Sequence, residues 1–352
     1  MEKEASVVVD TSIINVRQHG AVGDGRADDS MPIRNAIAAL PPNGGGVLYF
    51  PPGHYLTDTI FPPNFSTLLG HAAFGYQESG GAVISPVKPF QPRLVDLNGR
   101  KGVRLTGLTL HGRDLGAEMC GIYAGRGTGH EQNIVIDGCR IEHFSGSGLE
   151  MNEAHVWCLR HSIFMGNRWD GLDAHNSFDG WITDCMFVGN GRYGLHLDNS
   201  TTISGCRVEH NGCAGITVNR FYGQHLQITG NLFCSERGPA IEILEGNVRA
   251  ITITGNTFRI SARDVKDDPD RNCHVRFDGT QGLVFTGNAL HILWADTPAY
   301  AMVLRGLKHS VVANNSLFKG AAKELIRDLG GHENTVIRDN PGCLKDPKDL
   351  DS

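Results

Sequence analysis

Between Ile134 and Asn315 short runs of alternating apolar and polar residues follow one another with no helical interval, and each run predicts a β-strand with one buried face. The runs recur as a unit: an apolar–x–apolar pair, one polar or sulfur residue, then Gly-apolar-x-apolar-x about ten residues on. Aligned on the polar or sulfur residue, the units give Cys139, His161, Cys185, Cys206, Asn231, Asn256, Asn288 and Asn315, at intervals of 22, 24, 21, 25, 25, 32 and 27 residues. A period near two dozen built of strands predicts a solenoid, in which each repeat is one turn and only stacking buries a core. Cys139, His161, Cys185, Cys206 and Asn231 are expected to point inward as one stacked column.

The first sixty residues follow a different pattern. Ile14-Asn15-Val16 reads as a strand, Asp28-Asp29-Ser30 as helix-capping residues before the run from Pro32 to Leu40, and Gly44-Gly45-Gly46 as the stop before a strand at Val47-Leu48-Tyr49-Phe50. A short helix here would shield the open end of the solenoid. The expected organisation is one elongated domain: cap and first turns over 1–60, solenoid over 61–340, and a polar tail over 341–352. The enlarged interval after Asn256 holds Ser261 to Arg271, too charged for a core and predicted to protrude beside the strand face.

In the strand that follows each glycine, positions two and four are apolar and therefore inward. Positions three and five face out, and read Glu150, Asp173, His196, Thr217, Glu242, Arg276 and Asn152, His175, Asp198, Asn219, Leu244, Asp278. In the strand preceding the column residue, the outward positions include Val135 and Asp137, Trp157 and Leu159, and Trp181 and Thr183, mostly β-formers with little acid–base capacity. Titratable groups concentrated on one of two outward faces point to a functional groove, because solvation alone would treat both faces alike.

Composition narrows the partners. Lys+Arg 32 against Asp+Glu 38 gives a net charge of -6 and no broad basic surface, which argues against nucleic acid. No apolar run is long enough to span a membrane, and the amino terminus shows no secretory signal, so the chain is expected either to stay inside the cell or to have had a signal removed. Nine cysteines, an odd number without Cys-x-x-Cys spacing, support neither a zinc ribbon nor a complete disulfide framework, and Cys139, Cys185 and Cys206 fall in the column, where small buried thiols pack well. No cofactor motif or metal-ligand spacing is present. The acidic run Asp267-Asp268-Pro269-Asp270 could hold a structural Ca²⁺, but a solvated loop is the simpler reading.

The run from Asn15 to Asp29, with Gly20-Ala21-Val22-Gly23-Asp24-Gly25 at its centre, and the run Gly45-Gly46-Val47-Leu48-Tyr49-Phe50-Pro51-Pro52-Gly53 closely resemble the start of pectate-lyase-like proteins. The resemblance implies an all-β, right-handed parallel β-helix with a short N-terminal capping helix. That superfamily includes polygalacturonase- and rhamnogalacturonase-type hydrolases, alginate epimerases and lyases, and phage tailspikes. Asp173-Ala174-His175 after Gly171-Leu172 is similar to the Asp-Pro-His strand of alginate C5-epimerases and lyases, which implies catalytic roles for Asp173 and His175. The epimerase Tyr three residues earlier is Asp170 here. The polygalacturonase signatures Asn-Thr-Asp and Gly-His-Gly are absent, and no Asp-Asp pair stands in the strands of the titratable face.

The lead expectation is a carbohydrate-active enzyme that hydrolyses a glycosidic bond of a poly- or oligosaccharide. Asp173 and Asp198, one turn and two residues apart, should have Cα atoms about 8 Å apart, and inverting glycosidases hold their carboxyls about 6.5–9.5 Å apart. His175 and His196 would tune their charge. Glu150, Asn152, Asn219, Arg220, Glu242 and Arg276, with the aromatics Tyr123 and Trp169, would bind sugar. A uronate lyase or C5-epimerase, with Arg276 or Arg220 neutralising the carboxylate, and a non-catalytic sugar-binding or tailspike-like solenoid are the alternatives. A homo-oligomer is compatible with all three.

Overall fold

The computed structural model describes residues 12–41, 44–72, 75–76, 80–125, 132–221, 223, 225–246 and 250–346, with side chains at all of these except 220, 221 and 245. Its strands form three long sheets of 13, 11 and 10 strands and a small sheet of two. Pairing within them is parallel, and neighbouring strands in a sheet belong to successive turns rather than to adjacent segments of chain. This is a parallel β-solenoid, and parallel strands joined this way cross over right-handedly. One α-helix, Ser30–Ala38, is found among the described residues, and it lays Ile33 and Ala36 on the first turns. None of the described helices is long and apolar enough to cross a membrane.

The capping chemistry differs from the expected one. Asp29 precedes the helix but makes no side-chain cap. Its carboxylate instead accepts from the Val22 and Gly23 amides at 2.6 and 3.1 Å, fixing the glycine-rich turn, while Asp28 accepts from the Ser30 amide at 2.9 Å.

The interior is a stack of aliphatic side chains with aromatic pairs layered turn on turn, such as Phe164 on Phe187 at 5.0 Å and Phe233 on Phe258 at 4.9 Å. The Cys139, Cys185, Cys206, Asn231 column is buried. From Asn231 onward it becomes an amide ladder: Asn231 Nδ2 donates to Asn256, Asn256 to Asn288, Asn288 to Asn315 and Asn315 to Asn340, all at 2.8–3.0 Å. Each rung satisfies a buried polar group by its counterpart one turn on.

His161 does not belong to that column. Its side chain is 61% exposed and contacts Asp137 and Asp184, and the column position is taken by Ser162, whose hydroxyl accepts from the Cys139 amide at 3.1 Å. The intervals around it are therefore 23 and 23 residues. The residue before each column member adopts a left-handed backbone, as at Gly138 (φ 61°), Gly205 (65°) and Gly230 (67°), and His161 (47°) occupies that turn position. The same slip misplaced the preceding strand, where Trp157 and Leu159 are buried and Cys158 and Arg160 face outward.

A second ladder was not anticipated. Asn167 donates to Asn190 and Asn190 to Asn211, both at 3.0 Å, and the series ends on Glu236, whose oxygens accept from Asn211. Glu236 is fully buried, and burial pushes its pKa well up. This ladder lies directly behind the glycines that lead into the ten-stranded sheet. A Cβ on Gly171 would meet the Asn190 amide nitrogen at 2.9 Å and the Gly194 carbonyl at 2.7 Å, so only glycine lets the chain turn onto the sheet there.

Candidate active site

The ten-stranded sheet carries the titratable face. Its central strands, Leu149–Asn152, Leu172–His175 and Tyr193–Leu197, stack in strict register: Glu150 pairs with Asp173 and Asp173 with His196, while Asn152 pairs with His175. Leu149, Met151, Leu172, Ala174, Leu195 and Leu197 fill the core beneath, so alternation alone sends the polar residues outward.

The outward residues form two crossed Asp–His pairs. His196 Nδ1 lies 3.2 Å from Asp173, and His175 Nδ1 lies 3.0 Å from Asp198. The Asp198 side chain is only 6% exposed, and its two oxygens also accept from the Asn176 amide at 2.8 and 3.0 Å. Burial raises the Asp198 pKa despite these donors and the two imidazoles. The His175 side chain, by contrast, is 60% exposed, and Asp173 is 31% exposed. Burial also lowers the pKa of His196, but the contact with Asp173 and the charges of Asp173 and Asp170 outweigh it, and the net shift is upward. Glu150 is pushed up by burial and then by the Asp173 charge beside it.

Asp170 was not among the expected site residues. It is fully buried directly below Asp173 and His196, accepts from the Tyr193 amide at 3.0 Å, and leaves Oδ2 without a hydrogen-bond partner. Burial lifts its pKa to about 6 in spite of Arg192, whose Nε lies 3.4 Å away. One ligand-capable atom each from Asp170, Asp173 and His196 falls within 4.8 Å of the others. These three could hold a cation; equally they form a chain along which a proton can be shared. The sequence carried a signal: at the position before the strand glycine, Ser147, Asp170 and Tyr193 stand in successive turns, and only Asp170 brings a charge.

Aromatic and cationic groups border the patch. The Arg93 guanidinium sits 4.2 Å over the Tyr123 ring, next in register to Glu150, and Arg192 lies 5.9 and 5.3 Å over Trp169 and Tyr193. Thus Tyr123, Glu150, Asn152, Trp169, Asp173, His175, His196 and Asp198 are gathered on one surface. Glu242 and Arg276 stand farther along the sheet: Glu242 is 2% exposed and paired with Arg271 at 3.1 Å, and Arg276 is paired with Asp278 at 3.2 Å. Asn219 is half-buried on the intervening strand, and the Arg220 side chain, like Tyr222 beside it, lies outside the described residues. Of the acidic run, Asp270 is engaged by Arg305 and Arg327, and Asp268 accepts from the amides of its own turn.

Comparison with known proteins fits this architecture. The family described as right handed beta helix region matches residues 95–258, and the rhamnogalacturonase A/epimerase, pectate lyase-like family matches residues 13–77. Mannuronan C5-epimerase AlgE6 of Azotobacter vinelandii is 26% identical over 202 residues, 53% of this chain and 23% of that protein. Alginate lyase 7 of the same organism is 26% identical over 201 residues, 53% of this chain and 24% of that protein. The chain thus spans less than a quarter of the length of either relative. The solved AlgE6 A-module superposes with a TM-score of 0.59 at 17% identity, over 95% of this chain and all of that one. Tailspike protein 2 of an Escherichia coli O157:H7 bacteriophage does so with 0.67 at 14% identity, over 85% and 42%. At such identities the superpositions speak for fold alone. The two family matches and the solenoid itself agree on a right-handed parallel β-helix of pectate-lyase-like type.

Proposed function

We propose that the protein is an enzyme that removes the C5 proton of a uronate unit in an acidic polysaccharide, with elimination or C5 epimerisation as the outcome. The observation that carries this reading is the crossed Asp–His arrangement. An imidazole held at Nδ1 by a carboxylate presents Nε2 as its basic nitrogen, and exposed His175, held by buried Asp198, has this form. His196, with its pKa raised by Asp173 and Asp170, supplies a protonated partner for the developing negative charge or for the opposite face of the ring. Arg192, beside Trp169 and partly exposed, is placed to neutralise the uronate carboxylate, which makes the C5 proton more acidic.

Paired-carboxylate hydrolysis is less well supported, because Asp198 is buried and both its oxygens are occupied, leaving it no room for a nucleophilic water. The resemblance to proteins named as mannuronan C5-epimerases and an alginate lyase supports the same choice of substrate class. Incubation with polymannuronate and other uronans in D₂O tests it. Unsaturated uronate detected by ultraviolet absorbance, or deuterium at C5 detected by mass spectrometry, is the expected result. New reducing ends with neither signal would return the assignment to hydrolysis.

A further inference from the structure

In the turns that carry the Asp–His pairs, the connection into the ten-stranded sheet is short: residues 166–171 before the Leu172–His175 strand and 189–192 before Tyr193–Leu197. Before the Cys273–Asp278 strand it runs over 260–272, and the extra residues fold back toward the preceding turns. Their backbone is fastened there, since the Ala262 amide donates to Gly238 at 2.7 Å and the Asp264 amide to Arg237 at 2.8 Å. Ser261 is also tied to buried His274 at 3.0 Å.

The far end of this loop lies across the groove. Arg271 Nε donates to Glu242 at 3.1 Å, and its Nη2 reaches two turns back to the Cys213 carbonyl at 2.9 Å. Asp270 is clamped from the next two strands by Arg305 at 2.9 Å and Arg327 at 3.5 Å. The outward column changes character at this point. Asp173 is 31% exposed and His196 22%, whereas Thr217, next in register, is 0% exposed and Glu242 2%. Solvation cannot explain why outward polar residues become buried on the same face: Arg271 covers Glu242, which in turn accepts from the Thr217 hydroxyl at 3.4 Å.

We infer that the 260–272 loop, through Arg271, is an end-stop that closes the groove just beyond His196, so that the reacting unit is the terminal one of the bound saccharide. This rests on the reading that a saccharide lies along this sheet. The open stretch from Tyr123 to His196 covers three strand spacings, about 14 Å. A chain threading through the groove would have to displace a guanidinium that holds a buried carboxylate, which leaves that charge unpaired.

The test uses oligomannuronates of increasing length and two proteins, the wild type and Arg271→Ala/Glu242→Gln. The double substitution removes both charges together, because Arg271→Ala alone would strand Glu242, and its melting transition is checked first. In the wild type, calorimetric affinity should stop rising with length once the open stretch is filled, and mass spectrometry should locate the altered unit at one chain end. In the variant, affinity should keep rising, by about tenfold on further lengthening, and internal units should be altered as well. Internal alteration by the wild type from the outset, or the same length plateau in both proteins, overturns the end-stop. Length-limited binding without turnover would remove the C5 reaction while retaining the stop. Failure of every oligomer to bind would overturn both.

Discussion

His175 turns Nδ1 onto Asp198 at 3.0 Å, and the carboxylate that holds it is almost completely withdrawn from solvent and pinned by the amide of Asn176. Such a carboxylate acts on substrate only through the imidazole. Asp198→Asn is therefore expected to lower kcat by roughly 10²–10⁴-fold, the range for losing a positioned acid–base group, with little change in KM. The melting temperature should not fall, because burial already disfavours the charge. Steady-state kinetics and calorimetry on the same variant decide it; unchanged kcat would leave His175 without the role assigned to it.

Asp170 links stability to pH. Its pKa is raised by burial from 3.8 to about 6, so the folded state binds this proton more tightly than the unfolded one. The corresponding stability is fully present below pH 3.8 and is lost as pH rises through about 6. At about 1.4 kcal/mol per pH unit the loss is at most on the order of 3 kcal/mol. Asp170→Asn should flatten this slope, giving a protein that melts like the wild type at pH 4 and above it at pH 8. A pH series of melting temperatures with parallel slopes for the two proteins would refute the burial argument.

Asp173 also governs the alkaline limb of activity. His196 owes its raised pKa to Asp173 and Asp170. If His196 must be protonated for turnover, activity falls as pH rises through that raised value. Asp173→Asn should move the fall toward acid, in addition to lowering the rate. The pH–rate profile measures this, and an unmoved alkaline limb would exclude His196 as the acid.

On the reverse side of the same strand, Leu172 is fully buried. Leu172→Ala should cost roughly 2–5 kcal/mol through the cavity left behind, whereas Asp173→Asn should leave denaturant unfolding nearly unchanged. Equal losses in the two variants would mean that the outward column carries structural load.

These particular residues also mark how far the sequence could be read. The solenoid was legible because alternation and a period near two dozen are direct consequences of stacking. Register was legible wherever glycine filled the left-handed turn position, and it slipped by one at His161, where a histidine takes that backbone and a serine takes the column. The crossed columns of Asp173, His196, His175 and Asp198 followed from counting. Asp170 did not, because it lies in the turn before the strand, where alternation gives no rule. The cover over Glu242 did not either: the loop was recognised as charged and protruding, but not that Arg271 would reach two turns back along the stack.

The stop at Arg271 acts on Glu242, two strands beyond His196, while the Asp–His pairs occupy two adjacent strands. Distances along this face come only in whole strand spacings of about 4.8 Å. The reach of the groove is therefore counted rather than measured: inserting or excising one turn upstream of the pairs would lengthen or shorten the bound chain by a fixed step. The parallel strand pairings would re-form between whichever neighbours result, and the reacting groups would not move relative to the stop. Reaction type and substrate length are thus separable, one written in the side chains of two strands and the other in the number of turns.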